Sequence, residues 1–128
     1  MIMPKVIGLG GLFIKAKDPK VLAAWYQENL GIDFSGGPYV VFPFKEESGE
    51  VKAGYNIVSF FKADSSYYDP SKKEVMLNLR VDDLFGLLEE LKKKGVAGVG
   101  EPQDGEYGKF GWIMDPEDNK IELWEPPA

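Results

Sequence analysis

The stretch LFIKAKDPKVLAAWYQENLGI, residues 12–32, is answered further along by LNLRVDDLFGLLEELKKKGVA, residues 77–97. At a spacing of 65 residues, Leu12 falls on Leu77, Ile14 on Leu79, Lys15 on Arg80, Ala16 on Val81 and Asp18 on Asp83. One deletion in the second copy then brings Gly31 onto Gly95. A single repeat in a short chain points to a duplicated supersecondary unit, because stacked-repeat architectures need at least about three copies.

Each copy reads as a strand followed by a helix. In the first, alternation runs from about Leu9 to Ala16, Asp18 suits an N-cap, and Pro19 suits the first helical position. Leu22, Trp25, Tyr26 and Asn29 share a helical face, with Trp25 and Tyr26 expected in the core, and Gly31 ends the helix. In the second, Asp82 or Asp83 caps a helix whose apolar stripe is Leu84, Leu87, Leu88 and Leu91. Lys92–Lys94 then sit at the negative end of the helix dipole, which explains this basic run without a binding patch.

Shorter strand-like runs follow each helix: about 32–35, 39–44 and 55–62 in the first copy, and about 96–99, 109–114 and 120–125 in the second. SGGP, KEESGE and DPEDN supply turns. The plan is βαβββ, twice, in one α+β domain over residues 1–128, with module one at about 6–63 and module two at about 74–126. The linker, about 64–73, lies within ADSSYYDPSKKE and reads as an ordered surface loop.

Composition narrows the chemistry. The net charge of −6 argues against a nucleic-acid partner, which needs a clustered basic surface. No apolar run approaches a membrane span and no leader precedes Met1-Ile2-Met3-Pro4, so a cytoplasmic protein with no membrane partner is expected. Cys and His are both absent, which removes thiolate nucleophiles and imidazole or thiolate metal ligands. Proton transfer then falls to Asp, Glu, Lys or Tyr, and any metal to oxygen ligands.

Three segments, in order, resemble the vicinal oxygen chelate superfamily, which includes glyoxalase I, extradiol dioxygenases, and fosfomycin- and bleomycin-resistance proteins. They are KAKDPKVLAAWYQENLGI, LRVDDLFGLLEELKKKGV and YGKFGWIMDPEDNKIELWEP, the last close to the family's closing DP-x-x-N-x-x-E-L hairpin. The resemblance covers about Ile7 to Pro126. It implies that the two modules curl into a cup enclosing a ligand cavity. Strand periodicity then places Gly11, Phe13 and Lys15, Met76, Asn78 and Arg80, and Glu122 and Trp124 toward the cup. Leu12, Ile14, Ala16, Leu77, Leu79, Val81, Ile121 and Leu123 would pack outward, those of the first strand of each copy under its helix.

In metal-binding members the resemblance puts ligands at positions that are here Gly11, Met76 and Glu122, with Ser59 as the first-module match to Glu122. Gly11 has no side chain, and a thioether is a poor ligand for hard cations. No tightly bound metal or other cofactor is expected; a weakly held magnesium, completed by substrate oxygens, is the remaining possibility. Glu122 is either a cavity carboxylate that pairs with a cationic ligand or acts as a base, or a former ligand held by structural partners. Lys15 and Arg80, equivalent in the two copies, suggest paired cations near the cup rim or solvated strand ends. Tyr107, Trp112 and Trp124, with Phe13, Tyr39, Phe42, Tyr55, Phe60 and Phe61, are divided between core and an aromatic wall.

The leading expectation is a ligand-sequestering protein of the bleomycin-resistance kind for a cationic or aromatic small molecule, with Phe13, Lys15, Met76, Asn78, Arg80, Tyr107, Trp112 and Trp124 around the ligand. The rival is a lyase, isomerase or dioxygenase relative, with Glu122 as catalytic base and Arg80, Lys15 or Tyr107 stabilising an oxyanion. A third reading fills the cup with its own aromatics. The resemblance also implies a homodimer.

Overall fold

The computed structural model describes residues 3–34, 37–45 and 51–127. Its strands are β1 (Val6–Ala16), β2 (Tyr39–Lys45), β3 (Val51–Lys62), β4 (Val75–Val81), β5 (Gln103–Gly105), β6 (Gly108–Met114) and β7 (Lys120–Glu125), and its helices are α1 (Pro19–Leu30) and α2 (Leu84–Lys93). The strands form one mixed sheet in the order β2-β3-β1-β4-β7-β6-β5. β1 runs parallel to β3 and β4 parallel to β7, and the two halves meet at the antiparallel β1–β4 pair. The register repeats the sequence duplication: Phe13 lies beside Ser59 as its counterpart Asn78 lies beside Glu122.

Local chemistry sets the helix ends. Asp18 accepts from the Val21 N–H at 3.2 Å, and Gly31, at φ 69°, returns its N–H to the Gln27 carbonyl at 3.2 Å. Asp83, rather than Asp82, caps α2 by accepting from the Gly86 N–H at 3.1 Å. On the outer face, Ala16, Ala23, Phe34, Val40 and Phe60 form a core under α1, and Val81, Leu84 and Leu123 form one under α2. Between them, on the cup face, Phe13, Tyr68, Met76 and Trp112 make a third cluster.

Several expectations need correction. Residues 32–34 are not a strand: the Phe34 N–H donates to Gln27 Oε1 at 3.1 Å, and its ring goes into the core, stacked on Phe60 at 5.6 Å. Ser35 and Gly36 of the SGGP turn, and residues 46–50 of the KEESGE turn, lie outside the described residues. Residues 96–99 make only an isolated bridge, Gly98 to Ile113, because the Val96 N–H turns back to the Leu91 carbonyl at 2.8 Å. Trp25 is 53% exposed, while its neighbour Tyr26 packs on Phe60. Leu77 is 40% exposed, while Leu79 and Val81 of the same strand do pack in the cluster under α2.

Gly11 decides how closely β1 and β3 approach. The β1–β4 register slips between Leu9 and Gly11, leaving Gly10 as a bulge. A Cβ on Gly11 would overlap the main-chain carbonyl oxygen of Ile57 in the neighbouring strand. Gly11→Ala is therefore expected to lose about 3 kcal/mol in urea unfolding, the upper end for overpacking, since backbone cannot step aside. Gly105→Ala, where an added Cβ meets nothing within 4 Å, is the control and is expected to stay within about 0.5 kcal/mol of wild type.

Candidate functional site

Strand register builds the site. Gly11, Asn78, Glu122 and Trp112 form one row across β1, β4, β7 and β6, all on the cup face. Glu122 is 1% exposed, yet it is a carboxylate, so its lone pairs must be satisfied by protein. Its Oε1 accepts from Asn78 Nδ2 at 2.6 Å. Its Oε2 accepts from Trp112 Nε1 at 2.8 Å and from the Tyr67 hydroxyl. Lys120 lies two residues earlier on the same strand, with its Nζ donating to the Tyr67 carbonyl at 2.7 Å and sitting over the Tyr67 and Trp112 rings at 5.4 and 5.6 Å.

Burial pushes the Glu122 carboxyl above the usual carboxylate range; the donors Tyr67, Trp112 and Asn78 and the Lys120 charge pull it back only in part. Burial and the adjacent Glu122 charge drive the Tyr67 phenol well above its ordinary value, so it stays a donor. Burial lowers Lys120, against the opposing pull of Glu122 and Asp69.

Above this row opens a cleft of about 420 Å³. Phe13 and Phe61 come to it from β1 and β3, Phe110 and Trp124 from β6 and β7, and Tyr39, Tyr55 and Tyr107 add further ring surface. Trp124 is held by donating its indole N–H to the Tyr107 carbonyl at 2.8 Å, and Tyr55 lies on it at 5.0 Å. Among the described residues that line this cleft, Glu122 carries the single charge.

Of the residues singled out in the sequence, Phe13, Asn78, Tyr107, Glu122 and Trp124 line the cleft. Trp112 stands behind Glu122 as a donor. Met76 is 1% exposed and packs beneath, with Phe13, Tyr68 and Trp112. Lys15 and Arg80 are not a pair: β1 and β4 run antiparallel, so repeat-equivalent positions fall at opposite ends of the cup. Lys15 sits 4.8 Å over the Tyr68 ring, and Arg80 borders Gly8. The linker is largely exposed, as a surface loop would be, but it also reaches inward: Tyr68 is fully buried and Tyr67 reaches Glu122. Two adjacent tyrosines in an otherwise polar linker were the available signal for this.

The positions implied for a metal do not fit one. The space for a side chain at Gly11 is taken by the Ile57 carbonyl, the Met76 thioether is buried in apolar packing, and both Glu122 oxygens already accept hydrogen bonds. Among the described residues no three acidic side chains gather as a metal-binding group. No helix among them is long and apolar enough to cross a membrane.

Glu122→Gln places an amide N–H₂ against existing donors and is expected to cost about 2 kcal/mol at neutral pH. The pH dependence has a definite sign. A carboxyl whose folded value is raised holds its proton longer in the native state, so its contribution is greatest at low pH and falls as pH rises through the folded value. The wild-type minus Glu122→Gln stability difference should therefore shrink as pH rises from the ordinary glutamate range upward. A difference that grows over that window would contradict the raised carboxyl.

No curated protein sequence matches the chain at a significant level. A methylmalonyl-CoA epimerase from Mycobacterium tuberculosis superposes with a TM-score of 0.63 at 22% identity, covering 96% of this chain and 90% of that one. A Streptomyces coelicolor methylmalonyl-CoA epimerase, in complex with 2-nitronate-propionyl-CoA, gives 0.68 at 16% identity over 97% and 100%. A glyoxalase/bleomycin resistance protein/dioxygenase superfamily member from Vibrio splendidus 12B01 gives 0.57 at 10% identity over 96% and 99%. These likenesses establish the fold. The Glyoxalase-like domain matches residues 11–124, nearly the whole chain, and the protein belongs to that family.

Proposed function

We propose that this chain binds a small planar aromatic ligand, neutral or cationic, and does so without a tightly bound metal. The observation that carries this is the aromatic-walled cleft in which Glu122 is the one charged side chain among the described lining residues. Rings from both halves of the sheet offer flat apolar surface, and a cationic ring gains from both the aromatic faces and the carboxylate. Among the described lining residues an anionic ligand would meet Glu122 with no cation to offset it, since Lys15 and Arg80 lie outside and the Lys120 Nζ, over the Tyr67 and Trp112 rings, is engaged by the Tyr67 carbonyl. The Streptomyces coelicolor epimerase is seen with 2-nitronate-propionyl-CoA; the lining described here is suited to a neutral or cationic ring instead.

A second reading makes Glu122 the general base of a lyase or isomerase, favoured by its raised carboxyl at the cleft floor. Three donors on that carboxylate weigh against it, and of the suggested oxyanion partners only Tyr107 lines the cleft. Binding is therefore the better reading.

The test is a ligand panel of matched ring size: neutral aryl, aryl ammonium and aryl carboxylate, followed by thermal unfolding and calorimetry. A ligand at a hundred times its Kd adds about 2.7 kcal/mol to the folded state. Saturable stabilisation by the neutral and cationic members is expected, weakened roughly tenfold or more in Trp124→Ala. Stabilisation by the carboxylate alone, or by no member, would overturn the proposal. Turnover of any panel member, abolished in Glu122→Gln, would favour the enzyme instead.

A further inference from the structure

Glu122 has three hydrogen-bond donors, and they are not alike. Asn78 and Trp112 come from strands and are 2% and 8% exposed. Tyr67 comes from the linker and is 38% exposed. Its ring fills a slot in the cleft, stacked on Phe61 at 5.5 Å and 19°, edge-on to Trp112 at 6.1 Å and close to Phe13 at 6.3 Å. Such a slot, walled by the Phe61, Trp112 and Phe13 rings, with the Lys120 Nζ 5.4 Å over the Tyr67 ring and a carboxylate at its end, accommodates one six-membered ring bearing a donor.

The backbone under Tyr67 is held independently of its side chain, which is held by the hydrogen bond to Glu122 and by its ring contacts. The Tyr67 carbonyl accepts from Lys120, its N–H donates to Ser65 Oγ at 3.2 Å, and the next residue, Tyr68, is fully buried. A change of side-chain rotamer therefore clears the slot without moving the loop. Clearing it leaves Oε2 with the Trp112 donor alone, at a buried carboxylate where a missing partner is costly. An apolar ring cannot replace what is lost, and a carboxylate would repel; a ring with an O–H or N–H restores it.

We propose that Tyr67 is a tethered plug, standing in for the ligand's own ring: the occupant presents a phenol or aryl N–H group that turns Tyr67 out and takes over its hydrogen bond to Glu122. This rests on the binding function proposed above and names the recognition element of that cleft.

The probe is p-cresol, which is the tyrosine side chain itself, with toluene as the same shape lacking the donor. Calorimetric titration of wild type, Tyr67→Phe, Tyr67→Ala and Tyr67→Ala/Glu122→Gln distinguishes the outcomes. Tyr67→Phe keeps the ring and loses the bond that holds it, so p-cresol is expected to bind it about tenfold tighter than wild type. Tyr67→Ala removes the plug and is expected to bind p-cresol more tightly still, and about tenfold better than toluene. The double variant should lose that preference. Should Tyr67→Ala fail to fold, the comparison of Tyr67→Phe with wild type decides. Equal p-cresol affinity in wild type and Tyr67→Phe, or toluene matching p-cresol in Tyr67→Ala, overturns the plug. If panel aromatics bind wild type and the Tyr67 variants equally, the plug alone fails; if no aromatic binds any of them, the binding function fails with it.

Discussion

A carboxylate taken almost wholly out of water has to be surrounded by donors, and that requirement at Glu122 organises the cup. Desolvating an ion costs several kcal/mol even after relaxation. Three donors from three separate segments, β4, β6 and the linker, offset that cost. Each has to arrive at the right place, so the bonds to Glu122 tie the two strands flanking β7 to the loop that joins the repeats. Lys120 supports the arrangement by holding the Tyr67 main chain rather than by touching Glu122. The same carboxylate then supplies the one charge among the described residues of a largely aromatic cleft.

The close approach at Gly11 is the second constraint. β1 is hydrogen-bonded on both sides, and at Gly11 the neighbouring strand comes near enough that Ile57 occupies the place of a side chain. A position that the family resemblance links with metal ligation has here become a packing contact. Met76 has gone the same way, into the cluster beneath the cup. Glu122 keeps its address while losing both companions, and its hydrogen-bond partners are now protein donors.

Much of this was legible in the sequence because it is local or periodic. Asp18, Pro19 and Gly31 set the first helix, and alternation gave the facing of Phe13, Asn78, Glu122 and Trp124. The same alternation places Lys120 on the cup side of β7 with Glu122. What it could not supply was position along a face: Lys15 and Arg80 face the cup side yet lie at opposite ends, a consequence of antiparallel pairing between the repeats. Nor could it place the linker, whose path depends on tertiary packing. Tyr67 and Tyr68 have no period to betray them, and they turn out to be part of the site and of the core beneath it.

The central claim, that Glu122 is a buried carboxylate shared among these donors, is tested most directly by a carbon-detected NMR titration of its Cδ with simultaneous observation of the Trp112 indole proton. A midpoint above the ordinary glutamate range is expected, with the indole proton moving far downfield as the carboxylate forms and following the same curve. A midpoint at or below the ordinary value, with an indole proton that does not respond, would contradict it.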